Sequence, residues 1–376
     1  QDTAKVPTAV IGVGNRGSYL LQGVIQQPNA KVAMLCDLKP DRLDKAATAA
    51  GKDNPTTTKE WRKVIDNKDI QVVFIASPPN LHAEMALAAI KAGKHVYCEK
   101  PIGLKPGEIK QLLAAAKASK TVFVAGQQLR SITQYQEAVA KIHDGIIGDI
   151  AMVKAQRHAR ADLPHDGSSG DWYFDVTKGG GYLVEQSVHN LDLCNWILNA
   201  HPTKATGFGA INFYKNQPAG RTIFDCGSIV YEYPGNIQMS FTQNVFHPKA
   251  LPSGGQYIHV YGTKGAVDFM SNTMFYPIDG GEAKPLAEKR TEPPFAHIEM
   301  FYAAITQGKT PNVDATVGAT AALTAILGHE AMARQQIVNW SEFGVSIWVR
   351  SWVRSWVRSW VRSWVRSNAS RRASMR

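Results

Sequence analysis

The chain has 376 residues, 44% of them hydrophobic and 19% charged, which is enough to bury two cores rather than one. Its formal net charge of +11 is unevenly placed: eight arginines and no acidic residue follow Val345, leaving +3 for residues 1–345, so the charge is no argument for a nucleic-acid partner. No run reaches the roughly 18 apolar residues of a membrane span, and Cys36, Cys98, Cys194 and Cys226 lack the close spacing of metal or redox sites and read as buried free thiols, with no metal expected.

Gln1 begins a short polar leader, Gln-Asp-Thr-Ala-Lys, which reads as the remnant of an export signal or as a boundary; a periplasmic and a cytoplasmic location both stay open. From Val6 strand-like and helix-like segments alternate. Thr8-Ala-Val-Ile-Gly-Val-Gly is followed by a helical stretch and then by Lys31-Val-Ala-Met-Leu-Cys-Asp. Val72-Val-Phe-Ile-Ala and His95-Val-Tyr-Cys come next, separated by a helix over 83–91, and Val122-Phe-Val-Ala follows a helix over 106–119. Strand-helix-strand order with short turns predicts a doubly wound parallel sheet complete by about residue 126. Beyond Ser131 the runs lengthen and alternate with period two, as in 227–233, 236–242 and 257–262, which predicts an open, mainly antiparallel sheet in an α+β domain, closed by a helix over 317–336. Three segments result: 1–128 for nucleotide binding, 129–345 for substrate and self-association, and a low-complexity tail over 346–376. That tail repeats Ser-Trp-Val-Arg four times and is set aside as irrelevant to catalysis.

Gly12-Val-Gly14-Asn15-Arg16-Gly17 follows an apolar strand and opens a helix, the context a dinucleotide fingerprint requires. Gly12 permits the tight turn, Gly14 leaves room for a pyrophosphate, and Gly17 lets helix and strand pack closely. Asp37 ends the next strand, 20 residues after Gly17, where a carboxylate accepts from ribose hydroxyls and repels a 2′-phosphate. NAD is therefore expected over NADP, although Arg16 and Lys39 are placed to meet a phosphate. Ser77, Pro78 and Asn80, at the end of a later strand, and His82 just beyond them, complete the expected cofactor side together with Glu99 and Lys100.

Two segments carry candidate chemistry: Glu99-Lys100-Pro101, and Gly179-Gly-Gly-Tyr-Leu-Val-Glu185-Gln-Ser-Val-His189-Asn-Leu-Asp192. On a regular helix Glu185, His189 and Asp192 share one face, so two carboxylates would flank the histidine and tune it for proton transfer. The chain here resembles the glucose-fructose oxidoreductase and inositol dehydrogenase (Gfo/Idh/MocA) family over roughly residues 6–340. The resemblance rests on the glycine fingerprint, the Glu99-Lys100-Pro101 motif and the glycine-rich entry to the histidine helix. It implies that Lys100 lies near the nicotinamide and bonds the substrate hydroxyl, while His189 accepts its proton. The family often has aspartate where Glu185 stands, so Glu185 is expected to partner His189, a sugar hydroxyl or an arginine. The resemblance also implies a sugar or cyclic polyol as substrate and pairing of subunits through the open sheet. Some relatives instead use tightly held NAD to cleave glycosides through a transient keto-sugar, and others are non-catalytic sensors; net redox change separates these classes. Arg157, Arg160, Trp172, Tyr173 and Asp192 are the remaining candidate substrate contacts, because sugar rings stack on aromatic faces and their hydroxyls meet polar groups.

Overall fold

The apolar runs bounded by glycine and proline become strands β1 (Val6–Ile11), β2 (Ala30–Cys36), β3 (Thr56–Thr58), β4 (Val72–Ile75), β5 (His95–Cys98) and β6 (Phe123–Ala125). The computed structural model describes residues 5–159, 171–251, 254–275 and 281–347; the repeat tail from residue 348 and Arg160 lie outside them. All six strands pair in parallel in the order β3-β2-β1-β4-β5-β6. The order reverses between β1 and β4, the switch point where open α/β sheets bind ligands. Helices α1 (Asn15–Gln26), α2 (Pro40–Ala49), α3 (Trp61–Asp66), α4 (His82–Lys91) and α5 (Pro106–Ala118) make the crossovers.

After α6 (Thr133–His143) come β7 (Ile150–His158), the short α7 (Val176–Gly179) and α8 (Val188–Leu198). They are followed by β8 (Lys204–Ala210), β9 (Cys226–Tyr233), β10 (Ile237–Asn244), β11 (Gln256–Gly262), β12 (Ala266–Asp268), β13 (Thr273–Phe275), β14 (Lys284–Pro285) and, near the end, β15 (Val338–Asn339). The second sheet has the order β14-β13-β12-β11-β7-β10-β9-β8-β15. Its neighbours run antiparallel except β7 and β10, which are parallel. Period-two burial along β9 and β10 gives the sheet one covered face, under α8 and α10 (Ala315–Arg334), and one open face.

The chain does not stay in the second unit to its end. Helix α9 (Ala296–Gln307) returns to the first sheet, where Phe301 packs 5.4 Å from Phe74 and the Tyr302 hydroxyl meets Thr8 Oγ1 at 2.6 Å. Helix α10 then crosses both units, and a Cβ on its Gly318 would stand 2.6 Å from that of Ala125 in β6. An amphipathic helical pattern shows that a face is buried but not which sheet buries it.

Several histidines are packed in their neutral form. Burial, with Arg16 nearby, holds His297 down to about 4, and burial, with His247 beside it, does the same for His158. Their stabilising share is complete above the unfolded value near 6.5 and is lost as pH falls from there toward 4. The midpoint of urea unfolding is expected to be lower at pH 5 than at pH 7.5, His297 alone accounting for roughly 1–2 kcal/mol. Equal midpoints would contradict the neutral packing.

Candidate active site

At the end of β1 the backbone turns at Gly12, whose φ of +83° lies in the left-handed region and where a Cβ would stand 2.5 Å from the Ala76 carbonyl oxygen. A Cβ on Gly17 would collide with the Gly12 carbonyl, so strand and helix approach with no room for a side chain. Gly14 precedes α1 without a side-chain cap, leaving the first N–H groups and the positive end of the helix dipole for an anion. A Cβ there would meet Arg42 Nη1 at 2.9 Å, which places a guanidinium over the same turn. Asp37 is pinned beside it: its two oxygens accept from the backbone N–H of Val13 and of Lys39, each at 2.9 Å, and keep lone pairs for further donors. Asn15 is exposed at the helix start; Ser77 and Pro78 follow β4, partly buried, with Asn80 exposed. The glycine cradle, open helix terminus and fixed carboxylate fit a dinucleotide.

Glu99 and Lys100 leave the end of β5. Glu99, 3% exposed, takes Arg16 Nε on one oxygen at 2.6 Å and the Lys100 backbone N–H on the other at 3.1 Å. The glycine turn is thereby tied to the loop that carries Lys100, while Arg16 Nη2 is buried without a partner. Lys100 Nζ donates to the Glu185 carbonyl oxygen at 2.6 Å and to its Oε1 at 2.5 Å. Gln186 Nε2 donates to the other Glu185 oxygen, and Gln186 Oε1 accepts from Arg157 Nη2 at 3.1 Å. His189, 8% exposed, has Nδ1 buried without a partner. Burial holds its pKa well below 6.5, helped by the charges of Lys100, Arg157 and Arg16, so the ring is neutral at neutral pH.

The structure corrects four expectations. A π-helical turn, Leu183–Ser187, replaces regular helix before α8, and its loosened carbonyl ladder leaves the Glu185 carbonyl to accept from Lys100. Two carboxylates do not tune His189: burial does so first, with nearby cations adding to it, and Glu185 pairs with Lys100 rather than with the histidine or an arginine. Asp192 is no substrate contact, being 1% exposed and gripped by Arg130 through Nε at 2.9 Å and Nη2 at 2.8 Å. His82 turns both ring nitrogens inward, 2.7 Å from the carbonyl oxygens of Pro101 and Ser77, and its one N–H as a neutral ring bonds one of them rather than facing a cofactor.

Arg157 ends β7 on the face beneath α8; Trp172 is half-buried, and Tyr173 is buried with its hydroxyl unpartnered. Sequence reasoning missed Arg42, Arg130 and Gln186. Gln186 adjoins Glu185 and was findable, whereas Arg130 follows β6 with no spacing to signal a partner 62 residues away.

Residues 6–127 match the model of an oxidoreductase family with an NAD-binding Rossmann fold, and residues 135–268 match the GFO/IDH/MocA C-terminal domain. The chain belongs to the GFO/IDH/MocA family. It is accordingly an oxidoreductase with NAD as its cofactor. Among family relatives, the myo-inositol 2-dehydrogenase of Thermotoga maritima is 20% identical over 342 residues, 89% of this chain and 98% of that one. The levoglucosan dehydrogenase of Pseudarthrobacter phenanthrenivorans is 32% identical over 167 residues, 44% of this chain and 42% of the relative. A solved levoglucosan dehydrogenase in complex with NADH and L-sorbose superposes with a TM-score of 0.77 at 19% identity, covering 91% of this chain and all of that one. A myo-inositol 2-dehydrogenase from Lactobacillus plantarum gives a TM-score of 0.74 at 22% identity, covering 89% and 99%. At these identities the structural likeness speaks to the fold.

Proposed function

We propose that the protein transfers hydride between NAD and a secondary hydroxyl or keto group of a sugar, sugar derivative or cyclic polyol. The observation that carries this reading is a neutral, buried His189 beside the Lys100–Glu185 pair, on a loop tied by Arg16 to the glycine turn. Relatives named for levoglucosan and inositol oxidation support the substrate class.

Oxidising an alcohol removes a hydride from carbon and a proton from oxygen. Bound NAD supplies the hydride acceptor. His189 takes the hydroxyl proton, and the cations around it favour its onward release. Lys100 keeps one N–H after its two bonds to Glu185 and offers it to the same oxygen, steadying developing alkoxide. Glu185 holds Lys100 in place. Asp37 takes the adenosine ribose hydroxyls: Asp37→Ala should weaken NAD about tenfold, the worth of one to two hydrogen bonds, and narrow the gap between NAD and NADP affinities. An unchanged affinity ratio in a titration of both cofactors would remove that role.

The test of the function is NADH formation at 340 nm on mixing protein, NAD and a panel of monosaccharides and cyclic polyols. Aryl-glycoside cleavage without NADH accumulation would replace this reading by the glycosidase one. Copies of the chain are proposed to pair through the open face of the second sheet. Met152, Tyr261 and Phe275 lie exposed along one register row there, with Val230 and Phe208 on the same face. Light scattering on Tyr261→Lys should show a smaller particle than the parent.

A further inference from the structure

Most cations of the site have a carboxylate of their own. Arg16 is answered by Glu99, Lys100 by Glu185 and Arg130 by Asp192. Arg157 is not. Among the described residues its acceptors are neutral: Asn190 Oδ1 at 3.4 Å and Gln256 Oε1 at 2.7 Å on Nη1, Gln186 Oε1 at 3.1 Å on Nη2, with the Tyr182 hydroxyl beside the same guanidinium. Gln186 cannot reverse its amide without turning N–H groups toward the guanidinium and an oxygen toward the Glu185 carboxylate, so the arrangement is fixed. A guanidinium carries five N–H donors, more than these neutral acceptors take up, and its planar fork meets a carboxylate or phosphate with parallel bonds.

A second guanidinium acts on the same tyrosine as the first, Tyr173. Arg221 is 8% exposed, lies 5.6 Å from the ring of Phe174 and 5.5 Å from that of Tyr214, and bonds the carbonyls of Ile223 and Gln217. Its Nη2 is buried without a partner. Asp225 is the carboxylate whose field reaches it, but forms no ion pair with it; the Asp225 oxygens receive the backbone N–H groups of Asn212, Phe213 and Tyr214. Tyr173 feels the charge of both arginines. Burial drives its pKa well above 10 and both guanidinium charges pull it back, while its hydroxyl has no partner. A buried guanidinium nitrogen that lacks an acceptor, as Arg221 Nη2 does among the described residues, favours a ligand that brings an oxyanion to it.

We propose that the substrate carries an oxyanion, a carboxylate or a phosphate ester, which is received by Arg157 in the field shared with Tyr173 and Arg221. The anion would stand on the sugar beyond the hydroxyl that meets Lys100 and His189. This rests on the dehydrogenase reading above and narrows its substrate from neutral polyols to acidic sugar derivatives.

The experiment compares D-glucose, D-glucuronate, D-gluconate and glucose 6-phosphate on the full chain with NAD, reading NADH formation. A parallel series follows the thermal shift of the NADH-loaded protein, which reports binding whether or not turnover occurs. Expected is a tenfold or greater preference in kcat/KM for at least one acidic sugar over glucose. In Arg157→Gln that ratio should collapse toward one through KM, and Arg157→Lys should keep part of it. Preference for glucuronate or gluconate assigns a carboxylate, and preference for glucose 6-phosphate assigns a phosphate. Glucose turned over as well as every acidic sugar, with equal thermal shifts, would overturn the anionic subsite and leave the dehydrogenase intact. NADH from none of the four, with thermal shifts from the acidic sugars alone, would keep the subsite and count against the dehydrogenase. Absence of both signals would overturn the subsite.

Discussion

Lys100→Met and His189→Ala should each lower kcat for alcohol oxidation by about 10²–10⁴-fold, the usual worth of a positioned proton-transfer group, while NAD still binds. The two variants should fail differently. Without Lys100 the hydroxyl loses its donor, and Glu185, whose side chain is 12% exposed, loses its counter-charge, so KM should rise along with the fall in kcat. Without His189 the base is gone, and the acid limb of the pH profile should go with it. In the parent protein that limb should lie below pH 6.5: burial and three nearby cations keep His189 unprotonated, and the reaction needs the unprotonated form. Parent-like kcat in either variant would contradict the assignment, as would an acid limb at or above 6.5 in the free enzyme.

Asp192→Ala should cost about 3–5 kcal/mol of stability, the usual penalty for leaving half of a buried ion pair behind. The aspartate is 1% exposed and the Arg130 side chain 11%, with the guanidinium 5.1 Å from the ring of Trp196. Water therefore cannot readily replace the lost partner. The pair also fixes α8, which carries His189, against the segment that follows β6. Turnover should thus fall further than NAD affinity does. Calorimetry on the variant should show a melting temperature lower by more than about 5 °C. A companion Arg130→Met, Asp192→Leu should recover much of the stability, because an apolar pair of similar volume avoids burying charge. A single variant as stable as the parent would show the pair to be dispensable.

The Rossmann half was legible because local chemistry decides it. A glycine turn such as Gly12 admits no side chain, Asp37 terminates a buried strand, and consecutive apolar runs fall into register as neighbours. The period-two runs over 227–262 likewise announced an antiparallel sheet. What the sequence hid depends on long-range partners. The parallel pairing of β7 with β10 joins residues more than 80 positions apart, and α9 covers a sheet that ended long before it. In the site, residue types pointed to Lys100, His189 and Glu185, but helical spacing misassigned their partners. The π turn at Leu183–Ser187 breaks the i, i+4 arithmetic, and Arg130, which takes Asp192 away, lies 62 residues earlier in the chain, just after β6.

The central claim is hydride transfer from a carbinol carbon to NAD. It is tested most directly by supplying the best substrate of the panel deuterated at its carbinol carbons and weighing the reduced cofactor. The account predicts NADH one mass unit heavy, with the label on the nicotinamide ring. Unlabelled NADH, or label found only in water, would contradict it.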